Sequence, residues 1–341
     1  MLAIAKPGPH EGLALIEAPV PKPGPNDVLI KVRRSAICGT DLHIYRWDAW
    51  AARTIRPPMI IGHEFAGEIV ELGAEVTRPL RVGERVSGEG HIIDINSAAA
   101  RAGLFHLDPG TRGVGVDRDG AFSEYLVIPA FNVVPLPETV SDEIGALLDP
   151  FGNAMHTAQQ FELMGEDVLI TGAGPIGAMA AAIARRCGAR SVVITDLNDY
   201  RLELAARLAD VRPVNVARED LADVMVAEGV RDGFGVAMEM SGAPQAFAQA
   251  VQHLAVGGRL AMLGIPAAAM EVSWSQIILK ALTIKGVYGR QMFETWRKMF
   301  AFLDRGLDLE KLITHRKAAC DFQAGFDAAL SGDAGKVVLA W

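Results

Sequence analysis

The sequence predicts a two-domain α/β protein, with a β-rich domain first and a doubly wound parallel sheet after it. The 341 residues suit two domains, each able to bury its own core. Residues 28–140 carry short β-branched runs broken by glycine and proline, which is typical of strands in a barrel-like domain. From Glu166 onward, apolar runs alternate with alanine- and leucine-rich stretches, as strands and helices do in a parallel sheet covered on both faces.

The elements of each domain can be followed along the chain. The first domain contains the strand-like runs VLIKVRRSAI, GEIVEL and ERVSGEG. The strands predicted in the second domain are DVLITG, SVVITD, PVNV, GVAMEM, GGRLAMLG and LTIKGVYG. The helices predicted between them are MAAAIARRC, YRLELAARLA, LADVMVAEG and AFAQAVQHL. Two halves of three strands are the layout of a doubly wound dinucleotide-binding fold.

The tail of the chain is expected to return to the first domain. It begins with the amphipathic stretch ETWRKMFAFLDRG and ends in the strand-like KVVLAW. The predicted domains are therefore residues 1–149, completed by residues 293–341, and residues 150–292.

Composition narrows the class of function. A net charge of −8 disfavours a nucleic-acid partner, because phosphate binding needs clustered lysine and arginine. No apolar stretch reaches the roughly 18 residues of a membrane span, and no signal-like segment opens the chain. We therefore expect a cytoplasmic protein that acts on a small molecule. The three cysteines give no disulfide framework, and we expect Cys187 and Cys320 to be small buried hydrophobes.

A dinucleotide motif follows the first strand of the second domain. In TGAGPIG, the residues Gly172, Gly174 and Gly177 form GxGxxG between a strand and a helix. The first glycine allows a tight turn, the second a close approach to pyrophosphate, and the third close packing of helix and strand. Asp196 ends the next strand, where a carboxylate binds the ribose and repels a 2′-phosphate. This favours NAD over NADP, although the nearby Arg201 is a feature of NADP sites.

Residues of the kinds that bind zinc occur in the first domain. Cys38 lies in AICGTDLH, and His63 and Glu64 follow in GHE. Thiolate, imidazole and carboxylate are ligands that zinc prefers, and a catalytic zinc has about three protein ligands with one position left open.

The motifs CGTDLH and GHE, followed by the GxGxxG domain, resemble the medium-chain zinc alcohol dehydrogenases. The resemblance implies a GroES-like catalytic domain before a Rossmann NAD-binding domain. It implies that Cys38 and His63 bind the catalytic zinc, with Glu64 as a ligand in some states. It also implies that Thr40 begins a proton relay and that His43 is the next group in it.

Five further segments resemble the L-threonine 3-dehydrogenase subfamily: SGEGH (87–91), GVGVDRDGAFSEYLVIPAFN (113–132), DPFGNAMHTA (149–158), SGAP (241–244) and YGRQMFETW (288–296). The resemblance implies threonine catabolism, in which a homotetramer oxidises L-threonine to 2-amino-3-oxobutyrate with NAD. Asp149 would lie near the metal as a distant ligand or relay group, and His91 close to the substrate. The NAD site would also include Ile176, Asp196, Arg201, Leu263, Gly264, Ile265, Val287 and Tyr288.

The sequence departs from the subfamily in one loop. Members carry a second, structural zinc held by four cysteines, and the aligned positions here are Asp94, Ser97, Ala100 and Asp108. This set cannot imitate a closed tetrahedral thiolate site, so we expect one catalytic zinc per chain and no structural zinc. We expect Asp94 and Asp108 to be exposed or capping residues. The segment AAARAGLF, as a helix or against a neighbouring subunit, is the candidate for ordering the loop.

Three other functions remain open. A polyol or 2,3-butanediol dehydrogenase of the same superfamily would share the site and differ in substrate. A zinc-free relative similar to quinone reductases would lack Cys38 and His63, both of which are present. An NAD-binding sensor without turnover would be expected to lack ligand or relay residues, and none is missing.

Overall fold

The computed structural model describes residues 1–341, which divide into two compact units. The first unit contains Met1–Pro150, Gln291–Trp296 and Ile313–Trp341. The second contains Phe151–Arg290 and Arg297–Leu312. The predicted fold class is confirmed, because one unit is rich in antiparallel strands and the other holds a parallel six-stranded sheet.

Eighteen strands and twelve helices form the two units. The strands are β1 (Leu2–Lys6), β2 (Ala14–Glu17), β3 (Asp27–Ala36), β4 (Met59–Ile60), β5 (Glu64–Leu72), β6 (Arg85–Gly88), β7 (His91–Ile92), β8 (Arg112–Gly113), β9 (Tyr125–Pro129), β10 (Val133–Pro135), β11 (Asp167–Thr171), β12 (Ser191–Asp196), β13 (Arg212–Asn215), β14 (Phe234–Glu239), β15 (Leu254–Met262), β16 (Thr283–Gly286), β17 (Ile313–Ala318) and β18 (Lys336–Ala340). The helices are α1 (Gly39–Arg46), α2 (Ala49–Thr54), α3 (Ala98–Arg101), α4 (Asp142–Ala146), α5 (Leu148–Ala158), α6 (Pro175–Arg186), α7 (Asp199–Leu208), α8 (Leu221–Ala227), α9 (Pro244–His253), α10 (Trp274–Leu279), α11 (Glu294–Asp304) and α12 (Phe322–Ser331).

The main sheet of the first unit is built around β3. Its order is β10-β6-β5-β3-β18-β17, and β9 pairs with β3 as well. Val28, Ile30 and Val32 of β3 are buried in the core, because alternate side chains of a strand point to the same face. The C-terminal strand β18 runs antiparallel to β3, with Val338 opposite Ala36. This pairing brings Lys336, at the start of β18, beside the segment that follows β3.

The second unit is a doubly wound parallel sheet. Its order is β13-β12-β11-β14-β15-β16, and all its pairings are parallel. The order reverses between β11 and β14, and ligands of such folds bind outside the carboxyl ends of the strands at that point. The six predicted strands therefore occur in the predicted order, and the GxGxxG motif follows the central one.

Two further expectations can be compared with the structure. Cys320 is exposed, so the prediction that it is a buried hydrophobe is wrong. It lies in a single 3-10 turn, Ala319–Asp321, of which Ala319 is the buried residue. Cys187 is half-buried at the end of α6.

None of the helices is both long enough and apolar enough to cross a membrane.

Candidate metal centre and dinucleotide site

Three potential metal ligands meet at one end of the main sheet. Cys38 follows the last residues of β3, and Glu64 begins β5 immediately after His63. Because β3 and β5 are antiparallel neighbours with Ala36 opposite Glu64, the end of one strand lies beside the start of the other. The ligand atoms of Cys38, His63 and Glu64 all lie within 4.8 Å of one another.

The glycine of GHE is required by its surroundings. Gly62 has a φ of +89°, in the left-handed region that disfavours residues with a Cβ. A Cβ on Gly62 would also lie 2.2 Å from the ring of Phe122. The chain can therefore turn and present His63 to the cluster only with glycine at this position.

Buried charges surround the three ligands. Asp41 is fully buried, and its Oδ2 accepts a hydrogen bond from the Cys38 backbone N–H at 2.8 Å. Lys336, at the start of β18, donates to Glu64 Oε2 at 2.5 Å and to the Ile37 carbonyl at 2.8 Å. Burial disfavours the charged ammonium, but Glu64 and Cys38 outweigh it and raise the pKa of Lys336.

The cluster fits a zinc ion. Glu64 Oε1 is buried and has no hydrogen-bond partner, so its lone pairs are available to a cation. His63 Nδ1 faces Asp41 Oδ1 at 3.8 Å, which leaves the other ring nitrogen to bind a metal. Burial opposes charge on His63, but Cys38 and the carboxylates of Asp41 and Asp149 raise its pKa well above the ordinary value. The same negative surroundings favour a metal cation, and sulfur, nitrogen and oxygen donors are the set that zinc takes.

The residues expected to move protons or contact substrate lie in the same unit. Thr40 Oγ1 is 3.9 Å from Cys38 Sγ, and His43 follows three residues later on α1, on the same side of the helix. Asp149 is buried in α5. A Cβ placed on Gly90 would lie 3.7 Å from Asp149 Oδ1 and 3.8 Å from the Cβ of His63. The strand position of His91, beside Gly90, therefore adjoins the metal cluster.

The loop without thiolates is held by hydrogen bonds and aromatic contacts. Asp108 accepts from the Asp94 backbone N–H at 2.9 Å, and this bond, with others from Gly110 and the Ser97 side chain, lowers the pKa of Asp108. Ser97 also caps α3 by accepting from the Ala100 N–H at 3.1 Å. The four aligned positions thus converge, but they offer no set of metal donors and do not fit a structural zinc. Asp94 is exposed, as expected, but Asp108 is neither exposed nor a helix cap: it is buried, and its carboxylate accepts hydrogen bonds from backbone N–H groups of the loop, while Ser97 caps α3.

Phe105 attaches the same loop to the rest of the first unit. Its ring centroid lies 5.5 Å from that of Phe131 in an edge-on arrangement, and 6.4 Å from that of Phe293. Phe131 and Phe293 are themselves 5.2 Å apart. Such aromatic clusters stabilise packing beyond the area they bury.

The GxGxxG turn of the second unit has the geometry that its sequence predicts. Gly172 follows β11 with a φ of +96°, and Gly174 is the N-terminal cap of α6. A Cβ on Gly177 would lie 1.9 Å from the Gly172 carbonyl oxygen. The turn therefore packs tightly against α6 and leaves the helix N-terminus, which favours anions, beside a cavity of about 510 Å³.

Asp196 and Arg201 line that cavity. One oxygen of Asp196 accepts from the Ala173 N–H at 2.8 Å, and the other accepts from the N–H groups of Leu197 and Asn198. The carboxylate is therefore fixed at the end of β12. Arg201 Nε is buried without a hydrogen-bond partner, so this side chain has a donor available to a ligand.

Ile176 is the second residue of α6, and the other predicted cofactor residues lie at the carboxyl ends of the adjacent strands. Leu263, Gly264 and Ile265 follow β15, and Val287 and Tyr288 follow β16. A Cβ on Gly242 would lie 2.5 Å from the Ile265 carbonyl oxygen, and one on Gly172 would lie 2.9 Å from Ser241 Cβ. The three loops after β11, β14 and β15 therefore adjoin, as a dinucleotide crevice requires.

Several residues of these sites were not identified from the sequence. Asp41 and Lys336 contact the metal cluster, and Glu89 lies 3.8 Å from His91 Nδ1 through its Oε1. Asp41 could have been found, because it is the third residue of α1, where an acidic side chain can accept a hydrogen bond from the N–H of the N-terminal cap, Cys38. Lys336 carries no such local signal. In the dinucleotide site, Met240, Ser241 and Gln245 line the cavity without belonging to the motif.

Comparison with known proteins gives consistent matches over the full chain. Residues 24–138 match the alcohol dehydrogenase GroES-like domain, and residues 175–305 match the zinc-binding dehydrogenase domain. An L-threonine 3-dehydrogenase from Ruegeria pomeroyi is 60% identical, and the match covers 100% of both chains. One from Shewanella loihica is 56% identical, again over 100% of both chains. A solved short chain alcohol dehydrogenase from Escherichia coli CFT073, complexed with NADH, has a TM-score of 0.90 and 27% identity, over 100% of this chain and 99% of that one.

Proposed function

Because this chain belongs to the zinc-binding alcohol dehydrogenases, in the subfamily of the L-threonine 3-dehydrogenases, we propose that it oxidises the secondary alcohol of L-threonine. The reaction converts L-threonine and NAD⁺ into 2-amino-3-oxobutyrate, NADH and one proton. The main observation behind the proposal is that the ligand atoms of Cys38, His63 and Glu64 lie within 4.8 Å of one another. It is supported by relatives named L-threonine 3-dehydrogenase that match this chain over its full length.

Cys38 and His63 would hold the catalytic zinc, with Glu64 as a further ligand in some states. Zinc, when bound, supplies a Lewis acid that lowers the pKa of the substrate hydroxyl. Lys336 holds one oxygen of Glu64 and leaves the other, Oε1, without a hydrogen-bond partner. Asp41 fixes the backbone of Cys38. Asp149 adds negative charge near His63, in a position to act as a distant ligand or relay group.

The hydroxyl proton would leave along α1. Thr40 is the first group, because its hydroxyl can accept a proton and donate another while lying 3.9 Å from Cys38 Sγ. His43 is the second, since it lies one helical turn further and its side chain is 55% exposed. A histidine in contact with water can pass the proton to solvent. His91, the residue after Gly90, would contact the substrate.

NAD would occupy the crevice after β11, where it supplies the hydride acceptor. The residues that would bind it are Gly172, Gly174, Ile176, Gly177, Asp196, Arg201, Leu263, Gly264, Ile265, Val287 and Tyr288. The fixed carboxylate of Asp196 supports NAD over NADP, because it would repel a 2′-phosphate. The NADH named for the Escherichia coli structure supports the same choice.

We also propose one zinc per chain. The 92–112 loop lacks thiolates, and hydrogen bonds to the Asp108 carboxylate hold the loop in place. A homotetramer and a cytoplasmic location remain predictions. Gel filtration with light scattering tests the first, and cell fractionation tests the second.

A turnover panel with metal analysis tests the function. Purified protein is incubated with NAD and L-threonine, L-allo-threonine, 2,3-butanediol or sorbitol, and NADH absorbance is followed. We expect L-threonine to be turned over fastest, about one zinc per chain, and faster turnover with NAD than with NADP. Cys38→Ser should lose zinc and activity, whereas the matched variant Cys320→Ser, at an exposed position, should keep both. Turnover of a diol but not of L-threonine would overturn the substrate, and inactivity of a zinc-loaded protein on every alcohol would favour a sensor.

A further inference from the structure

A carboxylate outside the proposed relay contacts its outermost member. Asp48 Oδ2 lies 2.5 Å from His43 Nδ1. Asp48 follows α1 and is the N-terminal cap of α2, where its Oδ1 accepts hydrogen bonds from the Trp50 and Ala51 N–H groups, both at 3.0 Å. One oxygen of the carboxylate therefore caps a helix, while the other faces the imidazole.

The two hydrogen bonds that Asp48 accepts as a cap, and the packing of Trp50, determine how the carboxylate faces His43. The hydrogen bonds from α2 hold the Asp48 carboxylate in one orientation, and the ring of Trp50 packs edge-on to His43 with centroids 6.1 Å apart. Burial raises the pKa of Asp48, but the hydrogen bonds from Ala51, His43 and Trp50 together outweigh it and lower the pKa. The carboxylate is therefore ionised at neutral pH and can only accept hydrogen bonds.

An acceptor at Nδ1 determines which ring nitrogen is basic. In a neutral imidazole one nitrogen carries the proton and the other has the lone pair, and the hydrogen bond made by one decides the state of the other. Because the Asp48 carboxylate has no proton to give, Nδ1 must be the donor. Nε2 is then the nitrogen that can take a proton.

We propose that Asp48 is a positioning residue for the relay, which holds His43 as the Nδ1–H tautomer so that Nε2 accepts the proton delivered through Thr40. The inference rests on the proposed function, because it assumes that His43 takes part in turnover. In the transfer, Nε2 forms a bond to the incoming proton while the bond between that proton and the Thr40 oxygen breaks. The imidazolium is stabilised by the Asp48 carboxylate and then gives a proton to water.

Substitution by asparagine separates this role from helix capping. Asparagine caps helices as well as aspartate does, so Asp48→Asn can keep the bonds from Trp50 and Ala51. Its amide group would donate toward Nδ1, which favours the tautomer with the proton on Nε2. Asp48→Ser, also a good cap, is too short to reach His43. Asp220→Asn is the matched control, because Asp220 caps α8 through the Ala222 N–H at 2.7 Å and belongs to the second unit.

The experiment combines kinetics, thermal unfolding and ¹⁵N NMR of the imidazole nitrogens on the zinc-loaded protein. For Asp48→Asn and Asp48→Ser we expect kcat for L-threonine to fall by at least about tenfold, with KM within about twofold and a thermal midpoint close to that of Asp220→Asn. The side chains of His43 and Asp48 are 55% and 37% exposed, so we expect a smaller loss of kcat than for a buried histidine–aspartate pair. In the wild type, the NMR signals should show Nδ1 protonated and Nε2 not, and the preference should be lost in Asp48→Asn.

Several results would overturn the proposal. One such result is a kcat for L-threonine in both Asp48 variants that equals that of the wild type. Another is a fall in kcat matched by an equal fall in the control or accompanied by a large loss of thermal stability, which would mean that Asp48 acts only as a cap. A wild-type His43 protonated on Nε2 would also reject it. If the wild-type protein itself does not oxidise L-threonine, the proposed function fails, and the NMR measurement still decides the tautomer.

Discussion

Replacing Lys336 by methionine tests the electrostatic account of the metal centre. Lys336 is 3% exposed and Glu64 is fully buried, and the ammonium donates to Glu64 Oε2 and the Ile37 carbonyl. Removing it leaves a buried carboxylate without its countercharge, near the carboxylates of Asp41 and Asp149. Breaking a buried pair in this way costs about 3–5 kcal/mol. At about 2–4 °C per kcal/mol for units of this size, the midpoint of the first unit should fall by about 6–20 °C.

The assay is thermal unfolding of chelator-treated and zinc-loaded protein, followed by circular dichroism. Zinc should restore part of the lost stability in Lys336→Met, because the cation supplies positive charge beside Glu64. The gap between the two midpoints should therefore be wider in the variant than in the wild type. Lys31→Met, at an exposed position of β3, is the matched control and should lie near the wild type.

A double-mutant cycle with Glu64→Gln, measured without metal, isolates the pair. The double variant should be more stable than the sum of the single losses allows, because it leaves neither partner buried alone. Additive losses, or a Lys336→Met protein within about 1 kcal/mol of the wild type, would refute the reasoning, since both contradict the cost expected for an unpaired buried charge.

Three more predictions concern the metal, the loop and the cofactor. Because the raised pKa of His63 means that metal must displace a proton, zinc should bind more weakly as pH falls, and competition with a chelator at two pH values measures this. Asp108→Ala should lower the thermal midpoint and hasten proteolysis within residues 92–112 without changing zinc content, more so than Asp94→Ala; an unchanged loop, or a loss of zinc, would contradict this. Gly177→Ala should weaken NAD binding by at least about tenfold, because its Cβ would meet the Gly172 carbonyl at 1.9 Å, and fluorescence titration that finds wild-type affinity would count against the assignment.

The sequence predicted the fold well where a pattern repeats over several residues. The inner strands β11, β12 and β14 were identifiable because buried parallel strands are continuous apolar runs between helices. The edge strand β16 is largely exposed and was identifiable from its place in the alternation of strands and helices. Two-residue strands such as β4, β7 and β8 were not, because they are defined by pairing with distant segments and not by any local preference. The exposure of Cys320 depends on the direction of a single turn, which composition does not determine.

The site was predictable to the extent that its residues are adjacent in sequence. Cys38, His63 and Glu64 stand in two short motifs, and the strand pairing of β3 with β5 brings those motifs together. Lys336 is separated from Glu64 by 272 residues, and no motif that contains a metal ligand lies beside it in the sequence. Asp48 follows the relay motif closely, but its contact with His43 depends on where α2 begins, which is set by the turn between the helices.

The pairing of β18 with β3 has a consequence for synthesis of the chain. Cys38, His63 and Glu64 leave the ribosome early, together with β3 and β5, whereas the lysine that neutralises Glu64 belongs to the last strand. N-terminal segments generally fold first during translation, so the nascent first unit must carry a buried or half-folded carboxylate cluster while the whole second unit is made. The metal centre is therefore completed only when Lys336, 272 residues after Glu64, has been made, and early capture of zinc by the nascent chain would stabilise the cluster during that interval.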